Sequence, residues 1–209
     1  MGLKKIANRM PSTKSLRRLA LASADGRHWY TDGVPAMKVA ARQLGVTPKK
    51  LAEVVALTSP RVPVARNMRM AVSYLRREEL RGLDSRGLAS ELRCLPGVAA
   101  ALLHWEESGE IRGRKTAPFA RAILGDGSAL VLDTHMAKVL KVPQSKLFNV
   151  ANHAKIAKRF DKVSRELGWS VAEVQAAVWT TATETLVNAS GRRTYAAAPQ
   201  LGALILSAL

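Results

Sequence analysis

Two short segments hold the residues best suited to chemistry. They are Gly113-Arg114-Lys115-Thr116-Ala117 and Val131-Leu132-Asp133-Thr134-His135. Lys115 offers a primary amine, and Asp133 offers a carboxylate eighteen residues further on. A neutral lysine amine is a nucleophile toward electrophilic carbon and can form a Schiff base. Arg112 and Arg114 stand close in sequence to Lys115. Nearby positive charge, desolvation and the start of a helix all favour the neutral amine that attack requires. Each residue also has a plainer role. An Asp just before a helix caps it, and a Lys in a basic run meets solvent or phosphate. His135 reads as a packing or capping residue, and Cys94 as a small core hydrophobe.

Taken together, the two segments resemble the helix–hairpin–helix DNA glycosylase superfamily, of the endonuclease III type. Its members open one helix with Gly-Arg-Lys-Thr-Ala and the next with Val-Asp-Thr-His, at the same lysine-to-aspartate interval. The stretch Val55-Ala56-Leu57-Thr58-Ser59-Pro60-Arg61, with Asn67 beyond, resembles the family's early helix end that supplies a wedge into DNA. The likeness covers about residues 50–142 and is similar in kind to divergent phage-encoded members.

The resemblance implies an all-α, two-lobed, helix–hairpin–helix glycosylase-like fold. It also implies a DNA glycosylase, with AP-lyase activity where the lysine attacks. Such an enzyme pulls a base out of the stack into a pocket and breaks the bond from base to sugar. Asp133 would stabilise the oxocarbenium-like sugar, and Lys115 would attack C1′. Arg112, Gly113, Arg114 and Thr116 would contact DNA at the hairpin. Pro60 and Arg61 would form the wedge, and Lys138 would add a basic contact. The expected partner is double-stranded DNA, with no cofactor, no metal and no membrane. The cysteine cluster of many relatives is absent, so no iron–sulfur cluster is expected.

The sequence departs from the family at the hairpin. Where relatives read Leu-Pro-Gly-Val-Gly, this chain reads Gly109-Glu110-Ile111-Arg112-Gly113. Glu110 would repel a phosphate, while Arg112 would restore contact through its side chain. The hairpin letters recur upstream as Leu95-Pro96-Gly97-Val98. A hairpin there would put Ala101 in the lysine slot and Phe119 in the aspartate slot, which fails chemically. Three other functions stay open. One is a glycosylase-fold transferase or pyrophosphorylase acting on hypermodified thymine in DNA. Another is a non-catalytic DNA-binding protein, and the last a helix-turn-helix repressor. The target base and the oligomeric state are not legible in the sequence.

The composition fits a polyanion partner. The 209 residues include 33 Lys and Arg against 16 Asp and Glu, a net charge of +17. Solubility alone does not need that charge. With 47% hydrophobic residues the chain is too apolar for a disordered basic tail. A single cysteine excludes a disulfide framework and points to a reducing compartment, the cytoplasm. No apolar run reaches the roughly 18 residues that span a bilayer. The first 24 residues hold no acidic residue. Lys4, Lys5, Arg9, Lys14, Arg17 and Arg18 make them read as a phosphate-contacting arm, 1–24. Residues 25–209 then form one glycosylase-like helical unit, with a central lobe at about 60–142 and the remainder as the second lobe.

The elements that must position these residues read as helices. Thr47 before Pro48 signals a cap and a first helical turn, leading through Leu51, Val54 and Val55 to Leu57. Val64, Met68, Ala71, Val72 and Leu75 mark the next helix. Short helices are expected at 87–93 and 96–107, and another from near Arg114. Gly125-Asp126-Gly127 signals a turn, and 129–132 could be extended. Asp133 opens a helix with Met136, Val139 and Leu140 inward. A long helix at about 149–167 turns Val150, Ile156, Phe160, Val163 and Leu167 inward. Ser170 with Glu173 forms a capping box for a helix through Val174, Val178 and Leu186. The apolar tail, 199–209, should pack on the body.

Overall fold

The computed structural model describes residues 10–185 and 201–209, and among them the chain is all-α with no strand. In chain order the α-helices are α1 (Thr13–Ala22), α2 (Val34–Gln43), α3 (Pro48–Thr58), α4 (Val64–Arg76), α5 (Ser85–Leu92), α6 (Pro96–Ser108), α7 (Thr116–Ile123), α8 (Thr134–Val139), α9 (Gln144–Leu147), α10 (Val150–Leu167), α11 (Val171–Thr185) and α12 (Leu201–Leu206). Short 3-10 turns lie at Ala24–Trp29, Thr31–Gly33 and Glu78–Gly82. The run 129–132 is an irregular, buried link.

The chain makes two compact units. The first takes its described residues from Met1–Arg27 and Leu132–Ala198, the second from His28–Val131 and Pro199–Leu209.

In the first unit, α1 packs on α10 and α11, and α8 packs on α11. Residues 13–22, expected inside a basic arm, are a helix with Leu16 and Ala20 fully buried. Lys14, Arg17 and Arg18 stay exposed on its other side. The basic residues occupy one face only, and a leucine and an alanine four apart suffice to bury the opposite one. Side chains pin this helix from afar. Arg159 Nη1 donates to the Pro11 carbonyl at 2.8 Å, and Thr181 Oγ1 donates to the Leu19 carbonyl at 2.8 Å. Lys4, Lys5 and Arg9 lie outside the described residues.

In α10, Ile156, Phe160 and Val163 are buried at helical spacing, and Asn149 caps its start. Val150, expected inward, is 73% exposed because it is the first residue after that cap. Ser170 and Glu173 form the reciprocal capping box. The Ser170 N–H donates to Glu173 Oε2 at 2.7 Å, and the Glu173 N–H donates to Ser170 Oγ at 3.2 Å. Val174 and Val178 of α11 are fully buried, and Leu186 lies outside the described residues.

The second unit is built around α3, which packs on α2, α4, α6 and α7. Thr47 Oγ1 accepts from the Lys50 N–H at 3.1 Å and Pro48 sits in the first turn. Six of its apolar side chains, from Leu51 to Leu57, are buried. Cutting a buried leucine such as Leu51 to Ala would cost about 2–5 kcal/mol. The tail helix α12 packs on α2 and α4, burying Leu201 and Ile205. A Cβ on Gly33 would meet Leu201 Cδ2 at 2.8 Å, so a larger residue there would push the buried leucine aside.

Candidate functional site

Lys115 belongs to the second unit and Asp133 to the first. Each is built by its own surroundings.

Lys115 ends the connection between α6 and α7, at the cap position of α7. Gly109 closes α6 in the left-handed region, at φ 70°. Gly113 takes φ 120°, and a Cβ there would stand 2.6 Å from Thr116 Oγ1. Thr116 Oγ1 donates back to the Arg112 carbonyl at 2.8 Å, closing the turn. Arg112 and Arg114 are exposed, as is Gly113, while Thr116 is half-buried. The lysine differs from its arginine neighbours. It is half-buried, and its Nζ donates to Ser59 Oγ at 3.1 Å and lies 5.7 Å from the centre of the Phe119 ring.

Ser59 caps the C-terminal end of α3, and the loop Pro60-Arg61-Val62-Pro63 follows. Two fully or nearly buried polar residues anchor this loop at its ends. Thr58 Oγ1 donates to Asn67 Oδ1 at 2.6 Å, and Asn67 Nδ2 donates to the Val55 carbonyl at 3.0 Å. Buried polar groups must be paired, so the two residues specify each other. Pro60 is half-buried, whereas Arg61 is exposed with φ 59°, unusual for a residue with a side chain. The structure thus brings the candidate nucleophile and the candidate wedge loop to the same place, the junction of α3 with α7. Beside them Phe119 stacks on Trp29 with centroids 6.5 Å apart and meets Tyr30 edge-on at 6.3 Å.

Asp133 caps α8. Its Oδ1 accepts from the Met136 N–H at 2.8 Å, and its Oδ2 accepts from the Trp179 indole at 3.0 Å. The plain reading of this aspartate as a cap therefore holds. The second donor adds something a cap does not need, because both oxygens are fixed and the carboxylate plane is set. His135 meets the Trp179 ring edge-on at 6.4 Å. Lys138 is exposed in the last turn of α8.

Three residues essential to this geometry carried no role in the sequence reading. Ser59 and Asn67 were legible only within the likeness to a helix end, and Trp179 carried no signal of its contact with Asp133. The hairpin letters Leu95-Pro96-Gly97-Val98 open α6, with Leu95 as its cap and Pro96 in the first turn. Cys94, on the link before them, is half-buried, and burial raises its thiol pKa. Among the described residues no three His, Cys, Asp or Glu side chains gather as a metal site, and no helix is long and apolar enough to cross a membrane. Residues 19–186 match a family model described as a family of unknown function, DUF7178. No curated protein and no solved structure matches the chain.

Proposed function

The chain belongs to the DUF7178 family, and we propose that this member is a DNA-binding base-excision enzyme, a DNA glycosylase with AP-lyase chemistry at Lys115. The observation that carries this reading is the state of the Lys115 side chain. A lysine in a basic run ordinarily extends into solvent. This one is half-buried, with its amine held on Ser59 and set against Phe119. Arg112, Arg114 and Arg61 surround its two supporting segments with exposed positive charge suited to phosphates.

In this mechanism the duplex phosphates meet Arg112, Gly113, Arg114 and Thr116. Pro60 and Arg61 fill the gap left by the flipped base. The Lys115 amine attacks C1′ of the sugar, and the bond from C1′ to the base breaks as the base leaves with the electron pair. The family resemblance gives Asp133 the part of stabilising the positive charge on the sugar, a role tested separately by Asp133→Asn. The amine loses a proton, the bond from C1′ to O4′ opens with its electron pair going to that oxygen, which takes up a proton, and a Schiff base forms; removal of a C2′ proton then expels the 3′ phosphate. Lys138 adds a phosphate contact.

The test is borohydride trapping on duplexes with an abasic site. A covalent adduct mapped to Lys115 is expected, and it should vanish in Lys115→Ala. Binding without an adduct leaves the reading of a non-catalytic DNA-binding protein, or of an enzyme that modifies thymine without cutting its sugar bond. Excision is then screened over uracil, oxidised, alkylated and hypermodified bases. On any duplex that responds, Asp133→Asn should lower the rate by at least about a hundredfold, and unchanged excision would remove Asp133 from the mechanism.

A further inference from the structure

We propose that Ser59 is the positioning residue for the Lys115 amine, a role that rests on the reading of Lys115 given above. The direction of the hydrogen bonds assigns it. Ser59 Oγ donates its one hydrogen to the Ala56 carbonyl at 2.8 Å. Its lone pairs are left to accept from Lys115 Nζ at 3.1 Å. A hydroxyl with its hydrogen committed to a carbonyl cannot pass that hydrogen to the amine. Ser59 is therefore not the nucleophile of a serine–lysine pair; it is an acceptor that fixes one N–H of the amine.

The acceptor itself stands on rigid support. The Ser59 backbone N–H bonds to the same Ala56 carbonyl at 3.4 Å, which locks the residue at two points. The preceding Thr58 is fully buried and tied to the Val54 carbonyl at 2.8 Å and to Asn67. Helix α3 packs directly on α7, the helix that Lys115 opens. Phe119, one turn along α7, limits where the amine can swing. Fixing one N–H of a nucleophilic amine restricts the direction of its lone pair, and orientation of that kind raises the rate of attack without improving binding.

Ser59 also ties the amine to the wedge loop. The residue that holds Lys115 is directly followed by Pro60 and Arg61. Any displacement of the loop by a duplex would be felt at the amine through one side chain.

The test uses the full chain with Ser59→Ala and Ser59→Thr. With saturating abasic duplex, Ser59→Ala should trap about tenfold more slowly, with the half-saturating DNA concentration unchanged. Ser59→Thr keeps the hydroxyl and should trap nearly as fast as the parent. Equal slowing in both variants would mean that the position matters only for packing, and would overturn the proposal. A second measurement needs no DNA. Reductive methylation with formaldehyde and cyanoborohydride, read by mass spectrometry, compares Lys115 with the exposed Lys138. Releasing the amine in Ser59→Ala should raise the Lys115 rate about threefold relative to Lys138, with no rise in Ser59→Thr. An unchanged ratio overturns the role of Ser59. Absence of any adduct from the parent overturns the nucleophilic role of Lys115 and is seen separately from the methylation ratio.

Discussion

Arg61 holds two properties that seldom meet in one residue. Its backbone lies at φ 59°, and its long cationic side chain is exposed. For a residue with a Cβ that region costs roughly 1 kcal/mol, and glycine takes it freely. Arg61→Gly should therefore melt at or above the temperature of the parent while binding duplex DNA more weakly. Unchanged affinity would remove Arg61 from the DNA contacts. The residue scale also shows why the sequence reading went only part of the way. Thr47, Asp133 and the Ser170–Glu173 pair act on backbone three residues away, so their capping roles are legible in local spacing. Ser59 and Lys115 are 56 residues apart, and Asp133 and Trp179 are 46 apart. No periodicity records such a meeting, since it depends on which helices pack.

Two connections of the second unit hold their shape through local contacts. The first is the link between α6 and α7. Gly113→Ala would force a Cβ to within 2.6 Å of Thr116 Oγ1 at a φ of 120°. It should destabilise the chain by about 1–3 kcal/mol in urea denaturation and loosen the support of Lys115. The second is the turn after α7. Hydrogen bonds from Ser128, and then from Arg121, lower the Asp126 pKa to about 2. A carboxyl depressed on folding contributes stability above its unfolded value, and that contribution is lost as pH falls through the folded one. The stability advantage of the parent over Asp126→Asn should accordingly shrink between about pH 4 and pH 2, read as converging urea midpoints. The sequence marked 125–127 as a turn from its glycines. It did not mark α1 as packed, because six basic residues in the first 24 outweigh the two buried positions, Leu16 and Ala20.

At the scale of the whole molecule, the proposed DNA binding would spread the charge of +17 over many weak contacts. Each neutralised phosphate contact steepens the dependence of log affinity on log salt by about 0.9. Arg112→Gln with Arg114→Gln should flatten that slope by nearly two contacts' worth, roughly 1.8, and weaken binding to all sequences alike. A slope that does not move would take the α6–α7 connection out of the phosphate contacts. The path of the chain has a consequence of another kind. The first unit joins α1 to helices that begin after residue 132, and the second unit needs α12 to cover Gly33 and Ala36. A ribosome delivers these pieces in order, so α1 waits for α10 and α11 through more than a hundred residues of synthesis. The second unit likewise stays open on α2 until 201–206 has left the exit tunnel. Contacts between such distant positions slow folding. Nascent chains stalled before residue 199 should accordingly be cut readily by protease near α2, at a stage when α3, α4 and α7 are already made.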